Sequence, residues 1–254
     1  MTITSTQTQR RYGWKRDLPD IRDRTYEVAH VGELPQLVDL RSQCSPIMDQ
    51  GQLGSCTSNA ATAAFWFDEK KQGKTPILGS RLFHYYNERP LREKNADTGA
   101  TIRQSVKTAN TYGVCAEAEW AYDISKFTVK PPQNCYADAK KEKMLGYKRV
   151  AQNLSQMQAC LASGFPFLLG FTVYSSFESD QVAATGVVPL PSQGESVLGG
   201  HAVLACGYDA AKQVFYCQNS WGPSWGDQGF FSMPQEYLLN PGLAADFWMI
   251  QSVA

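Results

Sequence analysis

The sequence predicts an α+β protein built as two lobes. Residues 46–113 hold three helix-like segments, whereas residues from 144 onward read mainly as strands. A strand–turn–strand pattern over residues 201–219 is the clearest of the latter. Helices gathered in one half and strands in the other are the mark of elements segregated around a shared cleft or core. With 254 residues the chain can bury a large core, as one domain or as two lobes. No internal repeat or low-complexity stretch interrupts it.

Charge narrows the class of partner. Lys plus Arg number 24 and Asp plus Glu number 24, so net charge is zero. That argues against nucleic acid or an anionic membrane as the main partner. No apolar run is long enough to span a bilayer. Residues 1–16 lack the apolar stretch of a secretory signal, so synthesis in the cytoplasm is expected, with non-classical export as the other route. The seven cysteines are an odd number and show no C-x-x-C spacing. Free thiols are expected for most, and no metal site or cofactor.

In chain order, residues 1–11 are polar and expected to be disordered. Residues 12–33 carry Tyr12, Trp14, Leu18, Ile21, Tyr26 and Val28 among charges, enough apolar surface to dock onto something. Residues 34–41 read as extended. Residues 59–72 read as one helix, rich in Ala and stopped by Gly73. Gly51 and Gly54 prepare a tight turn before it, so Cys56 falls at or near a helix N-terminus. Backbone N–H groups and the helix dipole there favour thiolate over thiol. Gln50, six residues upstream, offers an amide donor of the kind acyl transfer needs for a developing oxyanion. A lone Cys in this place also fits a buried structural thiol. Residues 78–89 form a second helix with Ser80 as N-cap, and residues 102–112 a third ended by Gly113. Strands follow at 144–151 and 165–174, a short helix at 154–163, and a long connection over 175–200.

A cysteine nucleophile needs a base. Of the three histidines, His30 lies in the N-terminal segment and His84 among helix aromatics, where a core role fits best. His201 opens a strand after Gly199 and Gly200, where a side chain can reach a cleft. The hairpin turn centres near residues 210–211, which sets His201 close to Asn219. The Asn219 side-chain carbonyl can accept the ring N–H and aim the other nitrogen at the sulfur. Trp221 follows at a position able to cover that bond from water.

Three blocks together resemble the motifs of papain-like cysteine proteases. They are Gln50-Gly51-Gln52-Leu53-Gly54-Ser55-Cys56, then Gly200-His201-Ala202-Val203, then Asn219-Ser220-Trp221-Gly222 with the Trp- and Gly-rich run that follows. Their Cys–His–Asn order matches too. The likeness runs from about residue 34 to the C-terminus, and the run Tyr12-Gly13-Trp14-Lys15-Arg16-Asp17 resembles the bacterial branch. The resemblance implies a papain-like two-lobe fold. A helical left lobe (34–143) and an antiparallel, barrel-like right lobe (144–254) would flank the cleft. It implies a cysteine-type endopeptidase with Cys56 as nucleophile, His201 as acid–base, Asn219 as orienter and Gln50 as oxyanion donor. The substrate would be an extended peptide and the protein a monomer. Gly99 would pair with substrate backbone, with Gly200 and Trp221 beside it. Ala245 and Asp246 would floor the pocket for the second residue before the cleaved bond, with an apolar preference unless Asp246 admits a basic side chain.

The pattern is not complete. Leu53 stands where secreted members carry a Cys, Thr57 where they carry Trp, and the long propeptide helix pattern is absent. Within an N-terminal extension of residues 1–33, residues 12–33 are expected to fold back over the cleft as an inhibitory pro-segment, or else to pack on the back of a lobe. Two other functions share the motifs: a Cys–His acyl transferase or deconjugating protease with a narrow protein substrate, and a catalytically silent binding homologue.

Overall fold

The computed structural model describes residues 10–28 and 32–254. The expectations for residues 1–9 and for His30 lie outside the described residues. The N-terminal segment contributes β1 (Trp14–Lys15) and β2 (Thr25–Tyr26), followed by β3 (Leu37–Asp39). The helical portion comprises α1 (Cys56–Lys71), α2 (Arg81–Glu88), the short β4 (Ala100–Thr101), α3 (Ile102–Thr111) and α4 (Gln133–Ala139). Next come β5 (Met144–Val150), α5 (Leu154–Ala162), β6 (Phe167–Tyr174) and α6 (Asp180–Thr185). The chain ends with β7 (Val197–Asp209), β8 (Val214–Gln218), β9 (Phe230–Pro234), α7 (Gln235–Leu239) and β10 (Ala244–Val253).

Local chemistry fixes the helix starts. Ser80 accepts from the Phe83 amide at 3.1 Å and caps α2. Thr101 and Gln104 form a reciprocal capping box at α3. α1 begins at Cys56 rather than near residue 59, because the Ser55 carbonyl gathers the Asn59 amide, the Ser58 hydroxyl and the Asn59 side chain. These small polar residues are satisfied inside the first turn, so the helix need not wait for the Ala run.

The large sheet runs β2-β5-β10-β6-β7-β8-β9, with β3 lying along the end of β7. All pairings in it are antiparallel except β2 with β5. The path is open, with β2 and β9 at its ends, so the barrel-like lobe expected from the sequence is not a closed barrel. Register shifts at Val173/Tyr174, Ala205/Gly207 and Ala245/Trp248 bend its strands. β7 starts four residues before His201, paired through Val197 with Tyr174. Gly199 and Gly200 read as a break in the sequence, but here they lie inside a paired strand.

One core, with Phe167, Phe171, Phe177, Phe215 and Phe231, fills the strand-rich lobe. A second lies along the seam and joins Cys56, Phe65 and Ile102 to Leu168, Leu204 and Trp248. α1 is thus clamped between helices and sheet, with its N-terminus at the groove where they part. All seven cysteines are unpaired thiols.

Candidate active site

Gln50, Cys56, His201 and Asn219 are all buried and come together at the start of α1. Gln50 is fixed at both ends of its amide. Its Oε1 accepts from the Ser220 hydroxyl at 2.7 Å, and its Nε2 donates to the Leu53 carbonyl at 2.9 Å. Its backbone N–H donates to the Ser220 carbonyl at 2.9 Å. Asn219 Oδ1 lies 2.8 Å from His201 Nε2 and also accepts the Ser220 amide at 2.8 Å. One short turn therefore holds both the oxyanion candidate and the imidazole. Ser220, unremarked in the sequence, is the link.

His201 Nδ1 is buried with no hydrogen-bond partner among the described residues, so the ring has one nitrogen tied to Asn219 and one left for chemistry. Backbone amides of Ala202, Gly13 and Thr57 bear on the Cys56 sulfur and favour its thiolate. Since Ala202 adjoins His201 within β7, the sulfur lies beside the histidine strand. Trp221 covers the imidazole, with ring centroids 5.2 Å apart and planes 33° apart. Such cover excludes water from the His201–Asn219 bond.

The N-terminal segment occupies this groove. Arg10 lies over the Trp221 ring at 5.3 Å and pairs with Asp49 at 2.7 Å. The Arg11 carbonyl accepts from Gln50 Nε2 at 3.2 Å. The Tyr12 ring meets His201 edge-on at 6.2 Å, and its hydroxyl bonds Glu178. The Gly13 carbonyl accepts from the Ala100 amide at 2.9 Å, and β1 pairs parallel with β4. Gly13 is squeezed between Gly54 and Gly99; a Cβ on it would overlap the Gly54 carbonyl. Trp14 lies against Gly170 and Gly200 and donates from Nε1 to Asp246 at 3.2 Å.

Beyond Trp14 the anchors are charges. Asp17 has no exposed side-chain surface, takes the Trp248 indole N–H at 2.9 Å and pairs with Arg149 at 3.2 Å. Asp23 pairs with Arg103 at 2.5 Å. Leu18 and Ile21, expected to dock through apolar contact, are 79% and 104% exposed instead. Of the residues expected to bind substrate, Gly99, Gly200, Trp221 and Asp246 all touch the segment, and Ala245 is paired with Gly170 on β6.

The thiolate expected at a helix N-terminus does not prevail in this state. Cys56 is 0% exposed, and burial pushes its thiol up to about 11, against the pull of the three amides. Burial likewise holds the His201 imidazole down to about 4, opposed by its Asn219 bond. Both groups are neutral at pH 7 beneath the segment. Thr57, which replaces the expected Trp, donates to buried Glu88 at 2.7 Å. Around it, His84 bonds Ser105 at 2.8 Å, and Ser105 donates to the Thr57 carbonyl at 3.2 Å. His84 is therefore part of the support beneath α1 and not of the groove.

The family model for papain family cysteine proteases matches residues 34–246. The chain belongs to that family. One similar solved protein is xylellain, a cysteine protease from Xylella fastidiosa. Its crystal structure is 41% identical, with a TM-score of 0.89 over 96% of both chains. An uncharacterized peptidase C1-like protein of Acanthamoeba polyphaga mimivirus is 42% identical over 92% of this chain and 76% of its own. The fold extends to the bromelain protease from Ananas comosus, solved with the E64 inhibitor. It has 19% identity and a TM-score of 0.64 over 86% of this chain and all of that one. The protein is thus a papain-like cysteine peptidase by family, and the match begins at residue 34, after the segment that fills the groove.

Proposed function

We propose that this protein is an endopeptidase that cleaves extended peptides through a Cys56 acyl-enzyme and is held inactive by its own residues 10–28. The observation that carries the reading is the Gln50–Ser220–Asn219–His201 chain of hydrogen bonds, closed at the N-terminus of α1 where Cys56 sits. With the groove open, His201 Nδ1 takes the thiol proton. The thiolate attacks the peptide carbonyl, and Gln50 Nε2 with the first amide of α1 receives the oxyanion. His201 then gives the proton to the leaving amine. Water, deprotonated by His201, hydrolyses the thioester and restores the thiol. Asn219 keeps the ring in the tautomer this needs.

The docked segment cannot follow that path. Its side chain at Asp246 comes three residues after the carbonyl at Gln50, whereas a substrate would fill that pocket with a residue preceding the scissile carbonyl. The backbone runs the wrong way, so the segment is held without being cut. Active-site-directed epoxide labelling and turnover of a peptide library test the reading. Labelling of Cys56 with cleavage of diverse peptides supports it. Labelling with no small-peptide cleavage moves the protein to a narrow deconjugating role, and no labelling of an opened groove rejects the peptidase.

A further inference from the structure

The seat of Trp14 is a template for the substrate side chain. Its floor is made almost without side chains. Across three strands, Ala245 on β10 pairs with Gly170 on β6, which pairs with Ala202 on β7. Gly200, two residues before Ala202, lies on the same face of β7. A Cβ at Gly170 would overlap the Trp14 ring, and one at Gly200 would stand 2.8 Å from Cε3 and 2.6 Å from the Trp14 carbonyl. The indole therefore rests on bare backbone, and only a flat side chain fills such a slot.

The closed end is polar. β10 breaks register at Asp246, which takes a left-handed φ of 60°, and this turns its carboxylate into the slot. Asp246 Oδ1 holds Arg149 at 2.8 Å. Oδ2 accepts from Trp14 Nε1 at 3.2 Å and from the Asp17 amide at 2.7 Å. Both donors to Oδ2 belong to the segment, so its departure opens that oxygen to whatever enters the slot. A side chain that covers Oδ2 again supplies an N–H or O–H donor or leaves the acceptor unpaired.

Charge excludes the alternative. Docked, Asp17, Asp23 and Asp246 face Arg103 and Arg149. Undocked, Asp246 keeps Arg149 on its other oxygen, so its charge is already paired. A lysine or arginine entering the slot would compete with Arg149 for that one carboxylate.

We propose that the open slot selects an aromatic side chain carrying a hydrogen-bond donor, indole before phenol, as the second residue before the cleaved bond, and rejects cationic side chains. This rests on the peptidase reading but has a test of its own. Full-length Gly13→Ala protein, with Trp14→Ala as a second undocked form, is given five peptides that differ only in Trp, Tyr, Phe, Leu or Arg at that position. The expected order of kcat/KM is Trp, Tyr, Phe, Leu, Arg, with Trp roughly tenfold above Phe for one donor bond gained. Asp246→Ala should collapse the Trp-to-Phe ratio toward one. Binding of the same peptides to the Gly13→Ala, Cys56→Ala protein reads the slot without turnover, and the same order is expected. A preference for Arg or Leu in either assay overturns the proposal. Absence of turnover with the binding order intact rejects the peptidase and keeps the slot.

Discussion

The Arg11 carbonyl and the Gln50 side-chain amide are joined by a hydrogen bond of 3.2 Å. On the proposed peptidase reading, a carbonyl of the protein itself stands where the oxyanion of a substrate would form. Tyr12, Gly13 and Trp14, which follow it, cover His201, Cys56 and the slot in turn, so on that reading docking and catalysis compete for the same groups.

Gly13 offers the least invasive way to break that competition. A methyl group there overlaps the Gly54 carbonyl, a rigid backbone neighbour, while the protease body is left unaltered. Full-length Gly13→Ala should turn over a small peptide several-fold faster than the parent, because the segment competes at millimolar effective concentration only while it fits. Asp17→Asn, which loosens the contacts to Arg149 and Trp248, should raise turnover less. Equal rates for all three proteins would place the segment outside regulation.

The hydrogen-bonded turn at Ser220 predicts a graded series of rate losses. His201→Ala should be most damaging and Asn219→Ala milder, since one carries the proton and the other orients the ring. Gln50→Ala should cost about 2.7–4 kcal/mol in kcat. Ser220→Ala, which frees Gln50 Oε1, should cost about 1 kcal/mol, again in kcat more than in KM. Steady-state kinetics on an undocked background checks the order. A Ser220 variant altered only in KM would make that residue a binding element.

Thiol reactivity should report docking as a function of pH. Burial raises the docked thiol from the ordinary 9.0 to about 11, and opening removes that burial, so ionisation of Cys56 favours the open state and docking is lost as pH climbs toward 11. Burial lowers the docked imidazole from the ordinary 6.5 to about 4, so protonation of His201 favours the open state and docking weakens as pH falls toward 4. Asp246 is raised by burial and by the neighbouring Asp17 charge, which opposes His201 on the acid limb. The alkaline limb is therefore the clean one. Iodoacetamide should label Cys56 of the parent slowly at pH 7–9 and much faster above, whereas Gly13→Ala should label readily at pH 7. Rapid labelling of the parent at pH 7 would show that the cover is loose.

Glu88 gives a stability prediction independent of catalysis. Burial raises its carboxyl from 4.5 to about 7. The native state thus binds its proton more tightly than the unfolded chain, and that stabilisation is lost as pH rises from 4.5 through 7. Nearby His84, lowered to about 4, has the opposite slope below 6.5. Glu88→Gln should therefore gain stability relative to the parent across pH 4.5–7, by about 3 kcal/mol at most, and hold that gain above 7. Urea denaturation at several pH values measures it. A pH-independent loss would instead mean an ionised Glu88 paired with charged His84.

Sequence pattern carried the parts of this fold that depend on short-range chemistry. Ser80 and Gly73 punctuate helices through local bonds, Cys56 follows a glycine-bearing turn into α1, and the His201 and Asn219 blocks lie on and just past strands whose register one hairpin determines. Long-range choices were harder to read. Whether β2 meets β9 depends on bends summed over seven strands, and no single residue encodes it. The segment anchors are illegible for a related reason. Hydrophobicity points to Leu18 and Ile21 as docking groups, but Asp17 is the buried one, because Arg149 and Trp248, more than 130 residues away in sequence, supply its partners. Ser220 carries no sequence signal, because a serine in a turn has many local uses.

The cover over Cys56 also governs how long the sulfur survives. Oxidation to sulfenic and then sulfinic acid proceeds from an accessible thiolate. With a thiol held near 11, the ionised fraction at pH 7 is on the order of one in ten thousand, and Gly13 leaves no surface for peroxide to reach. On the proposed reading, the docked chain would be a reserve able to wait in an oxidising medium without losing its nucleophile. Release of the segment would then start two clocks at once, one for proteolysis and one for irreversible chemical ageing of the enzyme.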